Sequence, residues 1–499
     1  MSRPRRAPLL PGPGSRGWFG RGGGRSGLVV PAPEWRGTTV QVCGLWPFAV
    51  GAGSPVVGVP LGRHLFTHAT VCCDPISWFQ RAHLISNPSA FVMALPGRGK
   101  STLVVRMATG AAGFGAIPLV LGDLKPDYVD MVTALGGQVI RLGRGRGFLN
   151  VLDPGDARAA VAQLRQAAAG EGDPAESARL GSLADELLHD ARSRRLATVS
   201  SLLTVLRGDP PTDREETILA RSLAVLDDRP GGAPLLSDLL DIIREGPVAV
   251  RAVALDRDSR ERYEQLTEHL EASLVGLLEG GRLGDTFARS TSTPMRRDRP
   301  VVFDISGIDE TDEQLQAATL LACWSAGFAT VNVASALADA GLEPRRHYLV
   351  IIDELHRALR VGRGLVDRFD LLTRLNRAWG VGQVMITHTM KDLDSLRTEQ
   401  DRLVARGFIE RAGIVIAGGL PPSEMADLSS IVELSEAEKQ LITSWSAPPS
   451  WDPVLGRDAA PPGRGNFLIK VGGRPGIPVN VQLTEAERHI TDTNKAWRT

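Results

Sequence analysis

A glycine-rich loop between residues 94 and 101 carries the residue types that bind phosphate. It reads Ala-Leu-Pro-Gly-Arg-Gly-Lys-Ser, follows the apolar run 90–93 and opens a helix-compatible stretch at 101–109. In a strand-loop-helix setting, backbone N–H groups and the helix N-terminus converge on phosphate oxygens, because glycine lets the backbone wrap closely. The pattern predicts a nucleoside triphosphate site, with a simple glycine turn before a helix as the alternative.

Two residues of this loop have separate expected roles. The Lys100 ammonium is expected to reach the β and γ phosphates, and the Ser101 hydroxyl to ligate Mg²⁺. Only six of the 57 basic residues are lysines, which favours a specific need for a compact ammonium at position 100. The residues predicted to contact ATP are Ala94, Leu95, Pro96, Gly97, Arg98, Gly99, Lys100, Ser101 and Thr102.

A pair of carboxylates, Asp353 and Glu354, follows the apolar run 347–352. A strand of this kind in a parallel sheet ends with its acidic residues at the ligand-binding edge, the pattern of a Walker B motif. Asp353 is expected to hold Mg²⁺ directly or through water, and Glu354 to polarise the attacking water. Taken alone, such a pair is more often a helix N-cap. Together with the phosphate loop it predicts hydrolysis as well as binding.

The surrounding sequence predicts the elements that position these motifs. Apolar strand candidates alternate with helical stretches after the phosphate loop, which is typical of an α/β fold with a parallel sheet. The later strand candidates complete the same sheet. Predicted strands lie at 116–122, 138–142, 150–154, 300–305, 348–352, 381–387, 413–417, 466–471 and 478–483.

Changes in composition divide the chain into segments. Between Gly155 and Met295, Ala, Leu, Arg and Glu recur at helical spacing, which predicts an all-helical insertion with a core of its own. Within it, Thr212 and Glu215 form a capping-box pattern. The predicted segments are a disordered basic tail (1–27), a small β-rich preface (28–75), the two parts of the ATPase core (76–154 and 296–490), the insertion (155–295) and a C-terminal tail (491–499).

The overall composition excludes several classes of protein. Basic and acidic residues number 57 each, so no global field draws the chain to nucleic acid or an acidic membrane. The four cysteines lack metal-ligand spacing and predict neither a zinc site nor a disulfide framework. No stretch approaches about 18 apolar residues, so no transmembrane segment is expected. The basic tail serves solubility or contacts lipid or DNA phosphate.

The order of several blocks resembles the conjugative type IV secretion ATPases, over roughly residues 55–490. This resemblance implies a RecA-like P-loop NTPase fold related to the FtsK/HerA translocases, with an all-helical insertion and often a hexameric ring. The blocks that carry it are Gly62-Arg63, the phosphate loop, Gly122 to Tyr128, Leu135 to Gly137, Asn150 to Asp153, Gly284 to Phe287, Asp353-Glu354, Arg374 to Arg377 and Thr387-His388.

The resemblance also implies a sensor and an arginine finger. Thr387 matches the sensor strand, but His388 follows it where family members tend to have Gln. His388 is therefore either a contact of the γ-phosphate or lytic water, or a structural histidine. Arg374, Arg377 and, behind them, Arg411 are candidates to complete a neighbouring subunit's site. Each of them is otherwise a surface arginine.

The leading functional prediction is an ATP- and Mg²⁺-dependent motor for conjugative transfer. Its expected partners are further copies of itself in a hexameric ring and channel proteins of the secretion apparatus, with DNA as a further candidate. We expect it in the cytoplasm, held at the inner face of the plasma membrane through partners. Two alternatives are a DNA-pumping translocase or coupling protein, and a nucleotide-gated scaffold with little turnover.

Overall fold

An eleven-stranded sheet organises the described part of the chain. A computed structural model describes residues 56–491, except 144, 230, 279, 282, 362–364, 367–379, 397, 450, 453–456, 459–460 and 462. In chain order, its strands are β1 (Pro60–His64), β2 (Thr70–Cys72), β3 (Ser89–Met93), β4 (Ala116–Asp123), β5 (Gln138–Arg141), β6 (Val301–Asp304), β7 (His347–Ile352), β8 (Val381–Thr387), β9 (Ile414–Ala417), β10 (Trp451–Asp452), β11 (Arg457–Asp458), β12 (Asn466–Lys470) and β13 (Ile477–Val481).

The order of the strands explains why the candidate site residues lie close together. The main sheet runs β2-β1-β13-β12-β9-β3-β8-β7-β4-β6-β5, and β10 pairs only with β11. The strands from β9 to β5 are parallel, so their C-terminal ends share one edge. Because β8 lies between β3 and β7, the residue after β8 stands between the phosphate loop and the acidic pair.

Most predicted strands agree with the observed ones to within two residues. The exception is 150–154, which forms a turn because Asn150 and Asp153 bond the local backbone instead of a strand partner. The fold class predicted from the sequence is confirmed: the sheet is mixed α/β with a parallel centre and helices on both faces.

Helices cover the sheet and form the segment between β5 and β6. In chain order, they are α1 (Pro75–Gln80), α2 (Lys100–Gly113), α3 (Val129–Ala134), α4 (Ala157–Gly170), α5 (Pro174–Arg207), α6 (Asp213–Asp228), α7 (Leu236–Glu245), α8 (Val248–Ala254), α9 (Arg260–Val275), α10 (Gly284–Phe287), α11 (Glu313–Asp339), α12 (Leu355–Leu359), α13 (Met390–Asp394), α14 (Glu399–Glu410), α15 (Met425–Ile431), α16 (Glu436–Ser444) and α17 (Glu485–Ile490).

The segment from α4 to α10 consists of helices joined by short loops, with no strand among its described residues, and Thr212 and Glu215 form the predicted capping box at the start of α6. Its core is continuous with that of the sheet. Leu202 of α5, Phe303 of β6 and Trp324 of α11 belong to one buried apolar cluster. The expected separate core is therefore absent from the described part of this segment, and the boundaries at 155 and 295 stay a prediction.

The N-terminal preface is only partly described. Its last residues supply β1 and β2, and β1 pairs with β13 at the antiparallel edge of the main sheet. This pairing makes the described part of the preface an extension of the ATPase sheet. Residues 28–55, the predicted tail 1–27 and residues 492–499 lie outside the described residues.

One helix of the described residues, α11, is long and apolar enough to cross a membrane by length and composition. In this structure 78% of its most apolar window is buried. The helix packs against β4, α4, α5 and α12. Its apolar surface is therefore explained by its place in the core, between the sheet and the helical segment.

A substitution in α5 tests whether the helical segment and the sheet unfold together. Leu202→Ala removes a side chain with 0% exposure and should lower the free energy of unfolding by about 2–5 kcal/mol. Because the core is shared, chemical unfolding followed by a sheet probe and by helical content should shift together. The control Leu403→Ala, at a 63% exposed position, should change stability by no more than about 0.5 kcal/mol. Two separate transitions would contradict the shared core.

Candidate active site

The phosphate loop joins β3 to α2 in a conformation that requires glycine. Gly97 has φ 77° and Gly99 has φ 95°, both in the left-handed region that other residues rarely adopt. Gly99 is the N-cap of α2, and Lys100 is its first helical residue. The first turn of α2 thereby presents its unpaired backbone N–H groups to the cleft beside the loop, the arrangement that favours an anion.

A cleft of about 260 Å³ lies at the C-terminal edge of the parallel strands. The loops after β3, β4, β7 and β8 and the loop before β12 form its walls. Its lining residues are Pro96, Gly97, Gly99, Lys100, Ser101, Thr102, Asp123, Leu124, Lys125, Asp127, Asp353, Glu354, His388 and Arg464.

Three of the predicted nucleotide contacts do not line the cleft. The carbonyl of Ala94 accepts a hydrogen bond from Lys100 Nζ at 2.6 Å. Leu95 N–H donates to the Gly419 carbonyl at 3.1 Å, and Arg98 Nη2 donates to the Ser446 carbonyl at 2.7 Å. Ala94, Leu95 and Arg98 therefore stabilise the loop through contacts outside the cleft.

The central feature of the cleft is a hydrogen-bond chain from Lys100 through His388 to Glu354. Lys100 Nζ lies 2.7 Å from His388 Nδ1, and His388 Nε2 lies 3.1 Å from Glu354 Oε1. An ammonium can only donate, so Nδ1 must accept and the ring proton must be on Nε2, which donates to the carboxylate. One neutral imidazole thus joins Lys100, the candidate phosphate-binding lysine, to Glu354, the candidate water-activating residue.

The electrostatics of the chain follow from burial and from these contacts. Lys100 is 8% exposed, and burial lowers its pKa, against the attraction of Asp353, Glu354 and Asp392. Burial acts to raise the pKa of Glu354, but the hydrogen bond from His388 and nearby positive charge outweigh it and lower that pKa to about 2. Glu354 is therefore ionised at neutral pH.

Glu354 has two further unusual properties. Its backbone has φ 52°, a strained value for a non-glycine residue that is common at functional sites. Its Oε2 atom is buried without a hydrogen-bond partner among the described residues, although His356 Nε2 and Arg357 Nε approach to 3.6 and 3.8 Å. One carboxylate oxygen is thus bound to His388 while the other retains a free acceptor.

Asp353 lies beside this chain in a buried acidic setting. Its two oxygens accept from the Tyr128 hydroxyl and the Glu354 amide, each at 2.8 Å. Burial, followed by the charge of Glu354, raises the pKa of Asp353 to about 6. The Ser101 hydroxyl donates to Asp127 at 2.7 Å, and burial also raises the pKa of Asp127.

These residues fit a magnesium ion that uses few protein ligands. A cation beside Asp353 and Ser101 would offset the repulsion that raises the carboxyl pKa values. No group of three or more His, Cys, Asp or Glu side chains is arranged to hold a metal ion in the described part of the chain. This agrees with Mg²⁺ chemistry, in which phosphate oxygens and water complete the shell.

The other sequence candidates lie around the cleft or away from it. Thr387 is buried below His388, with its hydroxyl 3.4 Å from both His356 Nδ1 and Asp392 Oδ2. Arg411 precedes β9, at the opposite edge of the parallel strands from the cleft. Arg374 and Arg377 lie outside the described residues.

Several site residues were missed by sequence reasoning. His356 was signalled only by its place two residues after Glu354, and Tyr128 and Asp127 by their place in the block after β4. No feature of the neighbouring sequence indicated that Arg464 lies at the site. It reaches the cleft because the Gly465 amide donates to the Arg98 carbonyl at 3.0 Å, which brings the loop before β12 over the phosphate loop.

Comparisons with known proteins give a structural likeness only. Neither a scan of known families nor a search of curated proteins finds a match. VirB4 of Thermoanaerobacter pseudethanolicus has a similar structure, with a TM-score of 0.60 and 16% identity over 88% of this chain and 100% of that chain. The bacterial conjugative coupling protein TrwBdeltaN70 gives 0.48 and 13% over 85% and 89%. The likeness to VirB4 shows a shared fold, in agreement with the RecA-like α/β fold predicted from the sequence.

Because the pKa of Asp353 is raised, its ionised form should lower the free energy of unfolding. The proposed metal-binding role requires this ionised form. Its folded pKa of about 6 exceeds the unfolded value of about 3.9, so stability falls as pH rises between these values. Asp353→Asn can still accept from the Glu354 amide and can donate to the Tyr128 oxygen in a reversed bond, and it should raise the free energy of unfolding at pH 8 by roughly 2–3 kcal/mol. Chemical unfolding from pH 4 to 8 without nucleotide measures this.

Glu354→Gln is a control for which the opposite change in the free energy of unfolding is expected. The folded pKa of Glu354, about 2, lies below the usual value, so its ionised form stabilises the fold above pH 4 to 5 and this contribution is lost as pH falls toward 2. The Gln variant should therefore be less stable at pH 8. A destabilised Asp353→Asn variant would contradict the electrostatic account.

Proposed function

We propose that this chain is an ATP-hydrolysing motor of a conjugative or type IV secretion apparatus. The observation that carries the proposal is the chain from Lys100 through His388 to Glu354, at the edge where a parallel sheet binds phosphate. The likeness of the whole fold to VirB4 supports the choice of apparatus. ATP and Mg²⁺ are the expected ligands.

Binding begins with the phosphate loop. The amides of 97–102 and the Lys100 ammonium neutralise the phosphates, while Ser101 and Asp353 hold Mg²⁺. The metal ion supplies charge neutralisation between the phosphates. Lys100 would turn from the neutral imidazole of His388 to the more negative phosphate, while Ser101 would ligate the metal ion through an oxygen lone pair and could keep its proton on Asp127.

Hydrolysis then depends on Glu354. Its ionised carboxylate has a free acceptor oxygen, which orients and polarises a water for attack on the γ-phosphate. Once Lys100 has left, His388 Nδ1 is free to accept a hydrogen bond from the water while Nε2 still donates to Glu354, whereas a bond to a phosphate oxygen requires a second proton on the ring. Binding of ATP at the phosphate loop thereby changes the contacts of His388, which remains hydrogen-bonded to the water-activating residue, Glu354.

We further propose that the motor acts as a hexameric ring with a site completed by a neighbouring subunit. Arg374, Arg377 or Arg411 would supply that arginine, whereas Arg464 approaches the phosphates within its own chain. Channel proteins would hold the ring at the inner face of the plasma membrane, and the chain itself would lie in the cytoplasm.

The main alternative is a DNA-pumping translocase or coupling protein of similar fold. The balanced charge gives it no support, because DNA binding depends on basic surface. A nucleotide-gated scaffold has no use for Glu354 with its free acceptor oxygen. Turnover measured with and without DNA distinguishes the first two, since a DNA pump should be stimulated and a secretion motor should not.

Two substitutions separate binding from hydrolysis. Lys100→Ala should weaken ATP binding at least about tenfold, because it removes a charge-assisted contact to phosphate. Glu354→Gln should bind ATP normally but lower turnover by about 10² to 10⁴, because an amide does not activate water. Calorimetry with a non-hydrolysable ATP analogue and steady-state phosphate release measure the two effects.

Lys439→Ala is the matched control, since Lys439 pairs with Glu436 on the surface of α16. It should change neither affinity nor turnover. Equal loss of affinity in the Lys100 and Glu354 variants would show that the two roles are wrongly assigned. Undiminished turnover in Glu354→Gln would exclude Glu354 as the water-activating residue.

A further inference from the structure

A second polar cavity lies where α4 and α5 meet α11, beside the turn at 149–154. It has a volume of about 50 Å³, and an adjoining cavity of about 90 Å³ shares several of its walls. Neither shares a lining residue with the nucleotide cleft. The polar residues around the smaller cavity are Asn150, Asp153, Arg194, Arg195, Thr198, Ser325 and Asn332.

Arg195 lines this cavity and carries buried donors that are not fully used. The residue is 5% exposed, and its Nη2 donates to both carboxylate oxygens of Asp227 at 2.7 Å. Its Nε and Nη1 atoms are buried and have no hydrogen-bond partner within the described part of the chain. Leaving such donors unpaired is unfavourable, since a buried charged group retains its full desolvation cost.

Arg194 brings a second guanidinium to the same cavity. No hydrogen bond or ion pair engages its guanidinium among the described residues, and the nearest opposing charge is Asp190. Burial lowers its pKa to about 10 despite that charge. Two adjacent arginines therefore line one cavity although each resists removal from water and repels the other.

The nearby carboxylates are already engaged. Asp227 is shared by Arg195 with Arg158 and Arg192, at 3.8 and 2.9 Å. Asp190 accepts from the Asn332 amide at 3.1 Å, and Asp153 accepts from the Gly155 amide at 2.8 Å. Asp153 is the one carboxylate among the described residues that line the smaller cavity, beside two guanidinium groups.

We propose that this cavity is a binding site for a phosphate group, held by Arg194 and Arg195. The planar donor forks of arginine match a tetrahedral oxyanion. The volume has room for a group larger than one water but too small for a nucleotide. The bound group is therefore free phosphate or the phosphate end of a small monoester. The cavity lies between α5 and α11, so a bound group would connect the helical segment to the helix that packs on the sheet.

Calorimetric titration of inorganic phosphate into the full chain tests the site. The Lys100→Ala background weakens phosphate binding at the nucleotide cleft, so that the two sites can be separated and failure of the proposed ATPase function does not affect the result. One site should remain in this background. Adding Arg194→Met or Arg195→Met should weaken it at least about tenfold, since each removes a charge-assisted contact. Glycerol phosphate in a parallel titration distinguishes a monoester site from one for free phosphate only.

Arg192→Met is the matched control. Arg192 also pairs with Asp227 but does not line the cavity, so phosphate binding should be unchanged. A methionine in place of a buried arginine is often tolerated, and thermal midpoints without phosphate identify folded variants. Phosphate should raise the midpoint of the background chain but not of the Arg194 and Arg195 variants. No binding in the Lys100→Ala background, or equal loss in the Arg192 variant, overturns the proposal.

Discussion

The contact between Lys100 and His388 is the interaction on which the nucleotide-free site depends. A buried ammonium needs acceptors, and here they are an imidazole nitrogen and the Ala94 carbonyl. The same imidazole donates to Glu354, so one ring satisfies a cation and an anion at once. Without a ligand, the opposite charges of Lys100 and Glu354 are therefore balanced through His388. ATP and Mg²⁺ would take over part of these contacts.

Strand order makes this arrangement possible. Residues separated by more than 250 positions in the chain meet because β8 lies between β3 and β7, with Met93 aligned to Thr387 and Ile352 to Met385. The site also opposes stability. Asp353 is held at a raised pKa and Glu354 at a strained backbone angle, costs that sites commonly bear for function.

Much of this site could be predicted from sequence because its main parts are contiguous. The phosphate loop and the acidic pair each combine an apolar strand with polar residues at its end, so spacing alone located them. Arg464 and the bridging role of His388 depend on which strands are neighbours, and periodicity does not encode this. The shared core of α5 and the sheet escaped prediction for a similar reason, since helical spacing shows that a face is buried but not against what.

A structure of the full chain with Mg²⁺ and a non-hydrolysable ATP analogue tests the central claim most directly. The account predicts that Lys100 Nζ leaves His388 for phosphate oxygens at about 2.7–2.9 Å, that Ser101 Oγ ligates the metal ion, and that His388 keeps its contact with Glu354. An analogue bound elsewhere, or seated in the loop while Lys100 remains on His388, would contradict it.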